Sequence, residues 1–502
     1  MQKTKYLLGL DIGSSSIKAS LIDSETGDSA GSALSPKTEL SISSIKPEWA
    51  EQDPDTWWDH VVLATGELLR KTGINPDNIA AIGISYQMHG LVAVDKDQRA
   101  LRPSIIWCDS RAADIGNRAF NALGAEICLS RFLNSPGNFT ASKLKWVNEN
   151  EPEVYDKIHK IMLPGDYISM KLTGEINTTY TGLSEGIFWD YQENAPAKLL
   201  LDHYGIDIDL LPDAHESFSE FGRVTKIASE RIGLKEGTPV TYKAGDQPNN
   251  AFSLNVLNPG EVAATAGTSG VIYGITGSPC YDEKSRVNTF IHVNHVPQNP
   301  RYGVLLCVNG TGILYRWIRQ NLIRDDNISY DDMNHMALNT PIGSDGITVL
   351  PFGNGAERIL ENRNPGGQIL GLNFNRHTTG HLLRAAQEGI VNSLNYGFEV
   401  MKQMGIKHDI VKAGRANMFL SPLFRESFVN TTGAVLELYD TDGSQGAARA
   451  AGVASGIYTG LKEAFDGLNI LETIEPNSQK RNMYINSYQN WKEKLITELT
   501  KS

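Results

Sequence analysis

Apolar residues in this chain come in short runs broken by glycine, serine and aspartate, and the first run sets the pattern. Residues 7–23, LLGLDIGSSSIKASLID, read as an apolar strand, a Gly-Ser turn and a second apolar strand. Asp11 stands just before the turn and Lys18 just after it. Residues 49–58, WAEQDPDTWW, lead into a helix with Asp53 as N-cap, Pro54 at its first position and helical apolar spacing as far as Arg70. Trp57 and Trp58 are expected to pack in the core. Residues 79–85, IAAIGIS, are the continuous apolar run of a buried strand, and they lead straight into Tyr86-Gln87-Met88-His89-Gly90 before another strand over 91–95. Polar residues at the end of a buried strand are where α/β folds place ligand contacts. A lone His89, however, is more often a hydrogen-bonded structural histidine.

Further along, 101–111 reads as a strand ending at Trp107, Asp109 and Arg111, which either line a polar pocket or form a plain salt bridge. Residues 138–150 read as a helix with a threonine cap, 161–173 as a strand entering a helix, and 178–190 as a hydroxyl-rich loop with a strand. A strand over 240–244 ends in Gly245-Asp246-Gln247-Pro248 and a helix-like segment follows. Residues 261–273 are again strand, turn (Gly267-Thr268-Ser269-Gly270) and strand, so the opening hairpin has a degenerate repeat in the second half. Then come a helix over 312–322, a strand ending at Pro351 before the loop 352–363, and a long helix over 379–404. A strand over 410–413 ends at Gly414, with Asn417 nearby, and a small-residue helix covers 446–456. The tail, 473–500, is a solvated helix with Tyr484, Tyr488 and Trp491 on one docking face.

A chain of 502 residues exceeds what one core serves, so two domains are expected. Hydrophobic residues at 40% and charged residues at 21% describe a globular protein, and a net charge of −12 argues against nucleic acid or an anionic membrane as partner. The four cysteines are scattered without CxxC or Cys/His spacing, which points to a reducing cytosol and excludes a zinc or disulfide framework. The apolar run over 6–10 is too short for a signal segment, and no run is long enough to span a membrane.

Several chemistries are absent: there is no GxxxxGK[ST], no GxGxxG after a strand, no HExxH and no Gly-x-Ser-x-Gly. His292 and His295, three apart in a strand, point to opposite faces and read as structural or exposed. What remains is two turns whose backbone N–H groups and hydroxyls can face anions, an Asp11 suited to hydrated Mg²⁺, and a separate carboxylate, Asp246, at a strand end. That set fits phosphoryl transfer from a nucleotide to a hydroxyl.

With these residues in view, the chain resembles the FGGY family of carbohydrate kinases, within the actin/hexokinase/Hsp70 superfamily, and is most like its xylulokinase branch. DIGSSSIK is similar to the family's first phosphate motif, QMHG to the branch's sugar-binding turn, and WAEQDPDTWW to its first helix. AGDQ matches the position of the catalytic aspartate and AGTSG the second phosphate hairpin. NFTASKLKWVNEN and GGQILGLNFNRHTTGHLLRAAQEG resemble the two signature segments.

The resemblance implies an α/β protein of two actin-like (ribonuclease H-like) domains, each with a mixed five-stranded sheet flanked by helices, closing over a ligand cleft. Residues 1–243 are expected to bind sugar and 244–502 nucleotide, with the terminal helix, about 473–500, a candidate to pack back on the first domain. The implied reaction moves the γ-phosphate of ATP, with Mg²⁺, to a ketopentose hydroxyl, D-xylulose giving D-xylulose 5-phosphate. A kinase for ribulose, gluconate or a polyol, or a non-catalytic sugar sensor, are the alternatives. By resemblance, Asp246 is the general base and Asp11 the second catalytic residue, holding Mg²⁺ directly or through water. Ser14, Ser15, Lys18, Gly267 and Thr268 surround the β- and γ-phosphates, while Gly312, Gly414 and Asn417 contact the nucleotide further out. Met88, His89, Asp246 and Gln247 face the ketose. Sugar and ATP are the implied partners, without nucleic acid or membrane, in a cytoplasmic protein for which a homodimer is a candidate assembly. Three positions depart from the family pattern. Ala413-Gly414-Arg415 replaces a usual GGG, Gln247 stands where Asn is common, and Gln387 interrupts an apolar signature position.

Overall fold

The computed structural model describes residues 4–325 and 327–501. Its two main sheets repeat one plan. In the first, Tyr6–Ile12 and Ile17–Asp23 form an antiparallel hairpin extended by Ser29–Ser35, while Ile79–Tyr86 and then Val240–Gly245 add in parallel on the other side. The second builds the same order around the hairpin Val262–Ala266 and Gly270–Thr276. Tyr302–Val308 lies antiparallel on one side, and Ile410–Gly414 and Val435–Tyr439 run parallel on the other. The expectation of five strands per sheet holds for the first only. The second has seven, because Asn288–Ile291 and Ile470–Ile474 each add an edge strand.

Helices cover the sheets for reasons visible in the residues. Pro54–Thr72 starts where expected, with the Asp53 side chain accepting the Asp55 N–H at 2.9 Å, and it buries Trp57 and Trp58 against the first sheet. The helix Gly443–Ala454 comes from the far end of the chain yet lies on the first sheet. Glycine makes this approach possible: a Cβ on Gly9 would sit 1.8 Å from the Ser444 carbonyl oxygen, and one on Gly83 2.0 Å from that of Ala447. The terminal helix Ser478–Leu499, in contrast, docks on the second unit, which corrects the expectation that it returns to the first. Its stripe of Tyr488, Trp491 and Leu495 joins the core beneath the second sheet, and the Trp491 indole donates to the Val349 carbonyl at 2.9 Å.

Local readings also change. Residues 101–111 contain only the two-residue strand Ser104–Ile105. Helix Thr140–Asn150 begins at Thr140 without a side-chain cap. The stretch read as a hydroxyl-rich loop holds a short helix, Tyr180–Glu185, capped by the Thr179 hydroxyl. Among the described residues no helix is long and apolar enough to cross a membrane.

Candidate active site

Each of the two main sheets carries one hairpin turn, 13–16 in the first and 267–269 in the second. In the first, Gly13 N–H closes the turn on the Ser16 carbonyl at 3.1 Å, and the Ser14 and Ser15 N–H groups have no acceptor among the described residues. The outer side of the turn is tied down. Gln52 donates to the Ser14 carbonyl at 2.7 Å, Leu40 N–H to that of Ser15 at 2.8 Å, and the half-exposed Trp107 indole to the Ser14 hydroxyl at 3.2 Å. Asp11 and Lys18 are paired across the hairpin and stand together at its mouth. The Lys18 ammonium reaches Asp442, 2.5 Å away at the N-cap of the helix Gly443–Ala454.

The second turn is held from below. Gly312 N–H donates to the Gly267 carbonyl at 2.8 Å and Ile313 N–H to that of Thr268 at 3.2 Å. Gly312 has no alternative, because a Cβ there would lie 2.4 Å from the Gly267 oxygen. Asn417, in the left-handed region at φ 53°, sets its side-chain amide 3.5 Å from the place of a Gly267 Cβ. Gly414, Asn417, Asp442 and Gly443 line one cavity of about 170 Å³ with Asn250 and Ala266. That cavity brings the far end of the second hairpin next to the residue that pairs with Lys18.

Asp246 is the first residue of the helix Asp246–Ser253, directly after the strand Val240–Gly245. Burial, with Asp11 adding repulsion, raises its carboxyl to about 7, while hydrogen bonds from Gln247 work the other way. Burial likewise raises Asp11 to about 6; Ser85 and Lys18 oppose the rise and Asp442 reinforces it. Asp442 itself is pushed up by burial, but Lys18, Ser444 and Gln445 outweigh this and hold it below the usual carboxylate range.

Beside Gly245 stands Met88, buried, its Cγ 2.7 Å from the place of a Cβ there, followed by His89, whose backbone is left-handed at φ 62°. The His89 ring packs against Phe139 and Phe290, at centroid distances of 4.8 and 5.5 Å, and the two phenyl rings meet each other at 6.1 Å. Its Nδ1 is 2.9 Å from the Glu185 carbonyl, which can only accept, so the proton is assigned to Nδ1 and Nε2 is left as an acceptor. Burial, with Lys143 and Arg358 nearby, lowers the imidazole to about 3 and keeps it neutral.

The structure thus links several of these residues in pairs: Lys18 meets Asp442 on the cavity lined by Gly414 and Asn417, Asp11 repels Asp246, Gly312 and Asn417 close on Gly267, and the Met88 Cγ lies 2.7 Å from the place of a Cβ on Gly245. Asp109 and Arg111 do not join them. Arg111 grips Asp109 through two nitrogens and also pairs with Glu51 at 2.7 Å, a buried structural cluster. His292 is buried beside the Tyr273 hydroxyl, and no cluster of three or more metal-ligating side chains occurs among the described residues. Sequence reasoning missed Glu185, Lys143, Phe290 and Asp442. Only Asp442 had a signal, an acidic N-cap ahead of a small-residue helix.

Residues 6–253 match the model of the FGGY family of carbohydrate kinases, N-terminal domain. The chain is 28% identical to the xylulose kinase of Bacillus subtilis over 466 residues, 91% of this chain and 90% of that protein. The crystal structure of xylulose kinase from Rhodospirillum rubrum superposes with a TM-score of 0.86 at 26% identity, covering 98% of this chain and 99% of that one. Gluconate kinase from Lactobacillus acidophilus shares the fold, with a TM-score of 0.88 at 24% identity over 99% of each chain. A two-sheet architecture with a phosphate-type turn on each sheet, and these likenesses along nearly the whole chain, have one explanation: the chain belongs to the FGGY family of carbohydrate kinases and is a sugar kinase.

Proposed function

We propose that the protein transfers the γ-phosphoryl group of ATP to the 5-hydroxyl of D-xylulose, with Asp246 as the general base. The observation that carries this reading is Asp246 itself, a carboxylate at a strand end, raised to about 7, with Asp11 of the first hairpin and the His89 partner Glu185 as charge neighbours. A base is most effective when its pKa lies near the working pH, and such help is worth roughly 10²- to 10⁴-fold. In its ionised form Asp246 accepts the hydroxyl proton as the sugar oxygen bonds to phosphorus and the bond to the leaving β-phosphate oxygen breaks. His89 Nε2 accepts a second sugar hydroxyl, Met88 packs against the carbon chain, and Gln247 steadies Asp246. Phe139 and Phe290 come from opposite halves of the chain and keep water from the His89 side, where hydrolysis would compete.

The free N–H groups of Ser14 and Ser15 receive phosphate oxygens, as do the turn Gly267-Thr268 and Lys18, which exchanges Asp442 for phosphate. Gly312, Gly414 and Asn417 border the nucleoside. The donor set suits Mg²⁺, which takes only one or two carboxylates and keeps most of its waters. Asp11 would hold the ion, and Gly443 leaves the room, since a Cβ there would lie 2.6 Å from Asp11 Oδ2. Bound there, the ion would neutralise phosphate charge.

The choice of D-xylulose is supported by the 87–90 turn and by the xylulose kinases among the relatives. The test is a sugar panel with ATP and Mg²⁺, with and without EDTA. Sugar-dependent ADP formation is expected to be highest with D-xylulose and lost with EDTA. No turnover of any ketopentose, or a clear preference for gluconate, overturns the assignment.

A further inference from the structure

We propose that Glu185 is a positioning residue that fixes His89 against the strand end carrying Asp246. The inference rests on the reading of His89 as a sugar contact and of Asp246 as the base. Glu185 closes the short helix Tyr180–Glu185 and is fully buried. It holds His89 twice: Oε1 accepts the His89 N–H at 3.3 Å, and the Glu185 main-chain oxygen accepts from Nδ1 at 2.9 Å. Its other oxygen, Oε2, has no hydrogen-bond partner and lies 2.3 Å from the place of a Cβ on Gly245, the residue before Asp246. One carboxyl group therefore touches both sides of the acceptor site.

His89 needs such support. A histidine at φ 62° is in a sparsely populated backbone region, which persists where the surroundings over-determine it. From the other side Lys143, also fully buried, donates from Nζ to the His89 carbonyl and to that of Ile106, both at 2.9 Å. Among the described residues neither Glu185 nor Lys143 has an ion-pair partner within 4.0 Å. Burying an ionisable group without an ion-pair partner is costly, so the presence of two of them at one histidine is a strong constraint. Burial, reinforced by Asp246 and Asp166, pushes the Glu185 carboxyl well above its usual range.

The test is steady-state kinetics on the full-length protein, varying sugar and ATP separately, with the sugar that the wild type turns over. Glu185→Ala is expected to raise the sugar KM about tenfold with the ATP KM within about twofold, the signature of a lost acceptor-site constraint. Glu185→Gln keeps an acceptor at Oε1 and is expected to restore the sugar KM to within about threefold of wild type. If Glu185→Ala does not fold, Glu185→Asp, which withdraws the carboxyl by one methylene, serves instead and is expected to raise the sugar KM selectively. An unchanged sugar KM, an equal rise in both KM values, or a Gln variant as impaired as the Ala variant overturns the proposal. His89→Ala separates the two layers. A raised sugar KM in His89→Ala without one in the Glu185 variants removes only the Glu185 role. An unchanged sugar KM in His89→Ala removes the reading of the site and the positioning role with it.

Discussion

The two turn-bearing hairpins have matching strand order around them, yet under the proposed function they would handle anions by different means. The first carries charge at its mouth, Asp11 and Lys18, and Lys18 is bound to Asp442 across the molecule. The second, from Val262 to Thr276, has no charged side chain and is shaped by main-chain fit, with Gly312 and Ile313 N–H groups pressed onto its carbonyls. A charged turn acts at a distance and is screened by salt; a fitted turn acts only at contact and is not. The proposed phosphoryl transfer would use both, neutralising charge with one and fixing geometry with the other.

The largest effect should come from Asp246, the charge neighbour of Asp11 on the first hairpin. Asp246→Asn is expected to lower kcat by on the order of 10³-fold or more while sugar binding survives, read as sugar-dependent ADP release beside direct sugar binding. Retention of a tenth of the wild-type rate would remove the base role.

Next come the hairpins themselves. Lys18→Met should raise the ATP KM roughly 30-fold at low salt, a difference that shrinks as salt is raised because the lost term is electrostatic. Gly312→Ala, whose Cβ meets the Gly267 oxygen at 2.4 Å, should raise the ATP KM about tenfold at every salt concentration, with the sugar KM unchanged. Equal salt dependence in the two variants would erase the distinction between a charged and a fitted turn.

The smallest effect is the response to pH. Asp246 is raised to about 7 and Asp11 to about 6, and both must be ionised to act, so activity is lost as pH falls through these values. The kcat/KM for sugar should drop on the order of tenfold between pH 7.5 and 6 and more steeply below, the inflections belonging to the coupled pair. In Asp246→Asn the upper inflection should vanish. A flat profile across this range would place both carboxylates outside the reaction.

Much of the site was legible because its residues sit at points of local rule. Asp53 and Pro54 announce a helix start, and apolar runs flanking Gly-Ser turns announce hairpins. Other residues had no such marker. Asp109 and Arg111 at a spacing of two fit a pocket or an ion pair equally well, and only the arrival of Glu51 decides for the ion pair. Glu185 lies in a helix of six residues, too short for helical periodicity to emerge from a run of Thr, Ser and Gly. Lys143 looks like any exposed lysine on a helix, and its burial depends on carbonyls at His89 and Ile106 that lie far away in sequence.

By itself the sequence determined the alternation of strands and helices, the two hairpins, the cap of the first long helix and the apolar stripe of the last. These depend on residues within a turn or two of each other, and periodicity reports them directly. Tertiary structure alone decided which sheet each helix covers. It sent Gly443–Ala454 to the first sheet, and Ser478–Leu499 onto the helices Thr379–Gln403 and Pro422–Thr432 and the strand Thr348–Phe352. It also set Lys18 against Asp442, and His89 against Glu185. Those pairings join residues up to 424 positions apart, where side-chain pattern carries no register and only the packing of the two sheets brings the partners together.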